Sequence, residues 1–494
     1  MRQCADLVRD FDIPNAKTHV KSAVVVPKGA EAEHCDVRGT IEPDIGFQVK
    51  LPVSTYQGRY LQYGCGGFCG ILFPAPFPNC GPGSGDAAVA VTNDGHQAPD
   101  QFGFDTTWAK TNQAARDDYF YRAPHVVSKA AKQLITTYYG TAPRKSYFNG
   151  CSNGGREALL LAQRYPDDFD GIIAAAPGNY FGPLVAYQAW LARHAIPDAK
   201  LTPLHNAVMA ACDTLDGLAD NQIDDPRRCS YDPAKLLCAD ADQASCLTQP
   251  EVDNVRALYA GPTDEHGKRL YPGGEPYGGE LAWAGWVTPI PEFGGSISAL
   301  LADNALRNLT YPIGKPHSSL QDFKFTVPEL RRLEPELVKA NALSLDLRRF
   351  QRSGGKLILW HGASDEAIPF AGTLDYWQRL THGLPQNWAR LFVVPTMYHC
   401  QGGSALTDFD PTAALVAWVE RGTTPSRIIA EGRDAQGNVK RTRPVFPYPL
   451  TARYDGTGSI DDASNFLPYR PSVSNDKIHW AGENLYYKPG PVAP

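Results

Sequence analysis

Ser152 stands in Gly150-Cys151-Ser152-Asn153-Gly154, a Gly-x-Ser-x-Gly pentapeptide. Such a segment lifts a serine hydroxyl out of the backbone on a sharp turn between a strand and a helix, and its glycines keep the turn free of clashes. A hydroxyl so placed becomes a nucleophile once a base takes its proton. His399 is a candidate base, and it is followed by Cys400 much as Ser152 is preceded by Cys151. A disulfide between these cysteines would hold serine and histidine together covalently. The pentapeptide alone arises by chance in many chains, so its surroundings must carry the argument.

The surroundings read as strand, turn, helix, strand. Residues 145–148 are short and partly apolar, and residues 155–165 carry apolar positions at helical spacing before Pro166 and two aspartates stop them. Residues 171–176 form a second apolar run of strand length. That order is a parallel crossover with the serine at the helix N-terminus, where the amide of Asn153 can donate to an oxyanion. In this class of fold the acid and the base follow the serine in that order. Asp365 lies just after a strand candidate at 356–360, with Glu366 as an adjacent rival, and His399 follows another at 391–395. His361, four residues before Asp365, reads equally as a pocket residue or as a structural hydrogen bonder. The loop from Gly64 to Gly70 follows a strand candidate at 59–63, and Gly66 or Gly67 is the expected second oxyanion donor beside Asn153. A phosphate loop would need Lys-Ser or Lys-Thr where Ile71-Leu72 stands.

With these segments in place, the chain resembles the tannase and feruloyl esterase family of α/β-hydrolases. The resemblance rests on the run from Gly150 through Gly155 and Arg156, on Tyr165-Pro166-Asp167-Asp168-Phe169-Asp170-Gly171, and on Ala176-Pro177-Gly178. It continues in Gly354-Gly355-Lys356-Leu357-Ile358, His361-Gly362-Ala363-Ser364-Asp365 and His399-Cys400, and spans about Cys35 to Phe466. It implies Ser152 as nucleophile, Asp365 as acid, His399 as base and Cys151–Cys400 as a bridge between them. It also implies bridges Cys4–Cys35, Cys212–Cys229 and Cys238–Cys246, which leaves the pairing of Cys65, Cys69 and Cys80 open. A late disulfide of the family is lost here, its positions matching Phe446 and Pro468.

The chain has 494 residues, 43% of them hydrophobic, which suits a hydrolase core with a large insertion. The expected division is a core over 1–180, an inserted lid over 181–345, and the rest of the core with a tail over 346–494. A net charge of −6 gives no basic stripe for nucleic acid, and no apolar run approaches membrane-spanning length. Eleven cysteines without metal-binding Cys-x-x-Cys pairs point to disulfides and an oxidising compartment. The start, Met1-Arg2-Gln3-Cys4, lacks a charged-then-apolar leader, so the expectation is a secreted or periplasmic protein whose leader has been trimmed.

Within the insertion, the segment from Asp213 to Asp220 concentrates carboxylates in a tight loop, which by itself reads as a solvated acidic turn or a calcium site. The resemblance implies structural calcium, held by the side chains of Asp213, Asp216 and Asp220 and the carbonyls of Leu218 and Gln222. Phe181, Trp283 and Trp286 are candidates to stack on an aryl acyl group. Arg307 is a candidate to meet the free carboxylate of a terephthalate monoester. The expected activity is hydrolysis of small esters of aromatic acids (hydroxycinnamic, gallic or terephthalic) through an acyl-enzyme, with no redox cofactor or catalytic metal. A serine peptidase or acyltransferase is the alternative on the same triad, and a binding protein on a dead scaffold would have lost a triad member.

Overall fold

The apolar runs pair into one ten-stranded sheet. Its strands are β1 (Asp10–Phe11), β2 (Thr18–Val26), β3 (His34–Ile41), β4 (Ile45–Pro52), β5 (Arg59–Tyr63), β6 (Ala87–Thr92), β7 (Lys145–Cys151), β8 (Gly171–Ala175), β9 (Lys356–Gly362) and β10 (Ala389–Val394). They lie in the order β1-β2-β3-β4-β6-β5-β7-β8-β9-β10. β1 to β4 form an antiparallel meander, β6 joins β4 antiparallel, and from β6 onward each neighbouring pair is parallel. The parallel strands are buried on both faces, as the unbroken apolar runs of β8 and β9 require. The computed structural model describes residues 2–73, 85–382, 384, 386–471, 478–483 and 490. Cys80 lies outside the described residues.

Register places the functional ends side by side. Cys151 pairs with Ala175, Ala175 with Trp360, and Trp360 with Phe392. The chain therefore leaves β7 at Ser152, β9 at Ala363 and β10 at Pro395 along one edge, where parallel sheets open their binding crevice. β7 runs three residues beyond the expected 145–148, and β9 runs two beyond 356–360, so His361 belongs to a strand rather than a loop. β10 stops before Pro395, which has no N–H to give the ladder.

Helices cover the sheet. Ala123–Tyr139 starts with Pro124 in its first turn and ends at Gly140, whose φ of 82° is the left-handed cap a helix terminus favours. Asn153–Arg164 buries nearly its whole length, with Leu159, Leu160 and Leu161 at 1% exposure or less. Between Phe181 and Leu345 the chain adds no strand to the main sheet. It forms the helices Phe181–Arg193, Leu201–Cys212, Gln249–Ala260, Ile297–Asn308 and Val327–Leu337, with bridges Cys212–Cys229 and Cys238–Cys246. Thr248 and Glu251 close a capping box on the third of these. The architecture is that of an α/β-hydrolase.

One contact fixes how the nucleophile helix meets the sheet. A Cβ on Gly155 would stand 2.2 Å from the carbonyl oxygen of Ala175 and 2.9 Å from Cα of Pro177, both backbone atoms. Gly155→Ala is therefore expected to push the helix off β8 and lower stability by about 1–3 kcal/mol, the usual cost of overpacking. Thermal unfolding checks this, and an unchanged midpoint would mean the helix has slack that this packing denies.

Candidate active site

Ser152 occupies the N-cap of the helix Asn153–Arg164 with φ 64° and ψ −121°. A serine in this place ordinarily accepts from the first-turn amides, but in this backbone conformation it makes no such bond. The turn is held by three main-chain hydrogen bonds: Ser152 donates to Ala175, and the amides of Gly178 and Arg156 donate to the Ser152 carbonyl, each at 3.1 Å. Strain at one residue is thus over-determined by its neighbours. Ser152, Asn153, Gly66, Gly67 and His399 line one cavity of about 950 Å³.

His399 Nδ1 donates to Asp365 Oδ2 at 2.8 Å. The other Asp365 oxygen accepts from the amides of Ala367 at 2.9 Å and Ile368 at 2.7 Å. Burial by itself would push this carboxyl up. The charges of His399 and His361 and the hydrogen bonds from both imidazoles outweigh it, and hold Asp365 well below the carboxylate range. For His399 burial opposes the charged form, yet the charge and hydrogen bond of Asp365 raise its pKa above the ordinary histidine value. Glu366, the rival acid, accepts from the His399 backbone amide at 3.1 Å instead. Among the described residues no hydrogen bond joins Ser152 Oγ to His399 Nε2, a contact that commonly tightens only when substrate binds. Cys151 and Cys400 are bonded, across 249 residues.

The substrate-contact candidates separate. Phe181 and Trp286 line the cavity, and the Trp286 ring lies 5.9 Å from the His399 ring. Trp286 Nε1 donates to Gln188 Oε1 at 3.2 Å, which orients the indole. Trp283 does not contact the cavity: it is fully buried in the insertion, with Nε1 bonded to Glu275 Oε2 at 2.8 Å. Arg307 is also excluded, because it sits on an exposed helix face paired with Asp303 at 2.6 Å. His361 is structural: its Nδ1 bonds Thr373 Oγ1 at 2.8 Å, while its Nε2 bonds the Ile368 carbonyl at 2.6 Å and lies 3.1 Å from Asp365 Oδ2. It seats the acid rather than the substrate. Phe68, Tyr119 and Leu184 also line the cavity, although no periodic pattern in the chain marks them.

The glycine loop carries its own bridge, Cys65–Cys69. The remaining expected bridge, Cys4–Cys35, is present as well. Beneath the loop, Cys65, Cys69, Asp94 and Glu157 bring side-chain atoms within 4.8 Å of one another. The two sulfurs are bonded to each other, so they do not offer the thiolates a metal would need.

In the acidic loop Asp213 Oδ1 accepts from the amides of Asp220 at 3.3 Å and Gln222 at 3.0 Å, and Asp216 Oδ1 accepts from Leu218 at 2.9 Å. Asp220 Oδ2 pairs with the buried Arg443 at 2.7 Å, while Asp220 Oδ1 is buried without a partner. Among the described residues no three acidic side chains of this loop bring their oxygens within 4.8 Å of one another.

A serine between a strand end and a helix N-terminus, a buried Asp–His pair and a bridge between the cysteines beside the serine and the histidine is an arrangement suited to acyl transfer. The sequence profile of tannase and feruloyl esterase matches residues 30–468. The chain belongs to that family. The mono(2-hydroxyethyl) terephthalate hydrolase of Piscinibacter sakaiensis is 33% identical, covering 94% of this chain and 90% of its own. An uncharacterised esterase of Xanthomonas campestris pv. campestris has the same identity and coverage. The crystal structure of feruloyl esterase B from Aspergillus oryzae superposes with a TM-score of 0.79 over 93% of this chain and 98% of that one, at 24% identity, and so bears on the fold. As a member of the family, this protein is a carboxylic ester hydrolase.

Replacing Cys151 and Cys400 together by alanine is expected to lower kcat by about tenfold or more, because a misplacement of ~1 Å at reacting groups costs about 10². Stability should fall by only about 2–4 kcal/mol, with the other four bridges intact. Turnover and thermal unfolding measured on one preparation test this, and unchanged kcat would make the bridge incidental to the chemistry.

Proposed function

We propose that this protein hydrolyses esters of neutral aromatic acids through an acyl-enzyme on Ser152. His399 takes the serine proton as Oγ attacks the ester carbonyl, and Asp365 holds the imidazole in the required tautomer and stabilises its charged form. The amides of Asn153 and of Gly66 or Gly67 receive the oxyanion. His399 then protonates the leaving alcohol, and water repeats the sequence to release the acid.

The observation that carries the substrate reading is the make-up of the cavity. Phe68, Tyr119, Phe181 and Trp286 supply apolar faces, and among the described lining residues there is no lysine or arginine. Asp410, at the rim, is the single carboxylate there. A second carboxylate on the acid, as in a terephthalate monoester, would meet no cation and would lose its hydration. Hydroxycinnamic and gallic esters carry no such charge and are favoured. The bridges are consistent with an extracytoplasmic setting.

Acid release from methyl ferulate, methyl gallate, mono(2-hydroxyethyl) terephthalate and a short aliphatic ester, with Ser152→Ala as blank, tests both parts. The expected result is kcat/KM for ferulate or gallate at least about tenfold above the terephthalate monoester, equivalent to ~1.4 kcal/mol, and no turnover in the blank. Preference for the terephthalate monoester would overturn the charge argument, and turnover of the aliphatic ester alone would overturn the aromatic pocket.

The acidic loop is read as a structural calcium site formed by Asp213, Asp216 and Asp220 with the carbonyls of Leu218 and Gln222. The partnerless, buried Asp220 Oδ1 supports this, since a hard cation satisfies such an oxygen. Calcium there would draw the loop's carboxylates together and tie the loop within the bridge Cys212–Cys229. A chelator is expected to lower the unfolding midpoint by several degrees, about 1–3 kcal/mol at [Ca²⁺] well above its Kd, with recovery on adding calcium. No shift in the midpoint would remove the ion from the fold.

A further inference from the structure

A group of buried ionisable side chains lies directly behind the proposed oxyanion donors. Asp94 follows β6 in a left-handed turn, with φ 58°, and Glu157 lies one helical turn beyond Asn153. Asp94 is 0% and Glu157 1% exposed. Glu157 Oε1 accepts from Asn153 Nδ2 at 2.7 Å and touches Cys65 Sγ at 3.1 Å. Asp94 Oδ2 lies 3.6 Å from Cys69 Sγ. Two carboxyls thus approach within 4.8 Å of each other, pressed against the bridge of the glycine loop.

The charges around them do not neutralise two anions. Arg156, on the same helix, is fully buried, but its nitrogens go to Asn153 Oδ1 at 2.8 Å and to the carbonyls of Phe120 at 2.7 Å and Tyr119 at 2.9 Å. It neutralises one charge at close range without bonding either carboxyl. From the neighbouring segment, Asp118 is negative and paired with Arg122 at 2.7 Å. His96, two residues after Asp94, bonds the Phe68 carbonyl at 2.8 Å, and burial pushes its pKa down to about 4, so it is neutral. Tyr119, above Arg156, is held protonated by burial. Asp94 Oδ1 and Glu157 Oε2 are buried without a hydrogen-bond partner among the described residues.

We propose that Asp94 and Glu157 share one proton, which keeps the charge behind Asn153 and the glycine loop balanced against Arg156 and holds the oxyanion donors in place. With one proton the cluster carries −1 from the pair and +1 from Arg156. Losing that proton puts an uncompensated negative charge behind the site where the ester oxygen becomes negative, and sets two like charges against the loop. Burial, which disfavours both anions, raises both pKa values; the Asp94 charge raises that of Glu157 further, while the hydrogen bond with Glu157 and the Arg156 charge draw that of Asp94 part of the way back. One proton is therefore retained by the pair through neutral pH and released as the solution becomes alkaline. The pair is a positioning device, since it acts through Asn153 and the loop and does not touch substrate.

This inference rests on the reading of Ser152 as nucleophile, so its test separates the two. The kcat–pH profile of the intact enzyme on a neutral aromatic ester should rise as His399 loses its proton and fall again on the alkaline side. Glu157→Gln, which keeps the shape and cannot ionise, should move the falling limb up by a unit or more, and Asp94→Asn should do the same. Fluorophosphonate labelling at Ser152 is read in parallel. Labelled enzyme with no falling limb in the wild type, or with a limb that neither variant moves, overturns the shared proton while leaving the nucleophile. Failure to label Ser152 overturns both readings.

Discussion

The covalent bond between Cys151 and Cys400 joins the last residue of a central strand to the loop that follows the outermost strand of the parallel half. Ser152 and His399 are the chain neighbours of those cysteines, so their separation is governed by a few torsions rather than by the packing of a long insertion. Everything else at the site can be seen as making that short link productive. Parallel register brings the ends of β7, β8, β9 and β10 to one edge, and the strained turn at Ser152 frees its hydroxyl from helix capping. A disulfide constrains distance but not direction. Direction comes from Asp365, anchored by two backbone amides and a buried histidine.

The two carboxylate centres of the site illustrate opposite solutions to burial. Asp365 is buried with donors on both oxygens and imidazoles beside it, so ionisation is favoured despite the loss of water. Asp94 and Glu157 are buried beside each other with one guanidinium that is committed elsewhere, so a proton is retained. The same residue chemistry yields a fixed anion in one place and a shared acid in the other. The difference is the number of hydrogen-bond donors each backbone context offers.

The insertion serves the cavity more than the catalytic geometry. Phe181, Leu184 and Trp286 reach the cavity from it, while Trp283 turns inward to Glu275 and anchors the insertion's own core. Two tryptophans three residues apart therefore have unrelated roles. Their spacing would place both on one face of a regular helix, but the segment forms only the short turn Glu280–Trp283 and then departs from it. The absence of lysine and arginine from the described lining follows from the same arrangement, since Arg307 lies on the outer side of the helix Ile297–Asn308.

Much of the site was legible in the chain itself, because a nucleophile turn has a local signature. Glycines around a serine, an apolar run before it and helical spacing after it are dictated by sterics within a dozen residues, and the strand-then-loop settings of Asp365 and His399 are similarly local. The sequence therefore determined the type of fold, the loops that carry Ser152, Asp365 and His399, and the cysteines beside the serine and the histidine. Tertiary structure decided which aromatic and charged side chains face the substrate, which role His361 takes, and that Cys65 pairs with Cys69. It alone brought Asp94 and Glu157 together, from segments 63 residues apart. The reason is physical: local conformation follows from short-range sterics and hydrogen bonding, whereas side-chain burial and proton sharing depend on neighbours that only chain packing supplies.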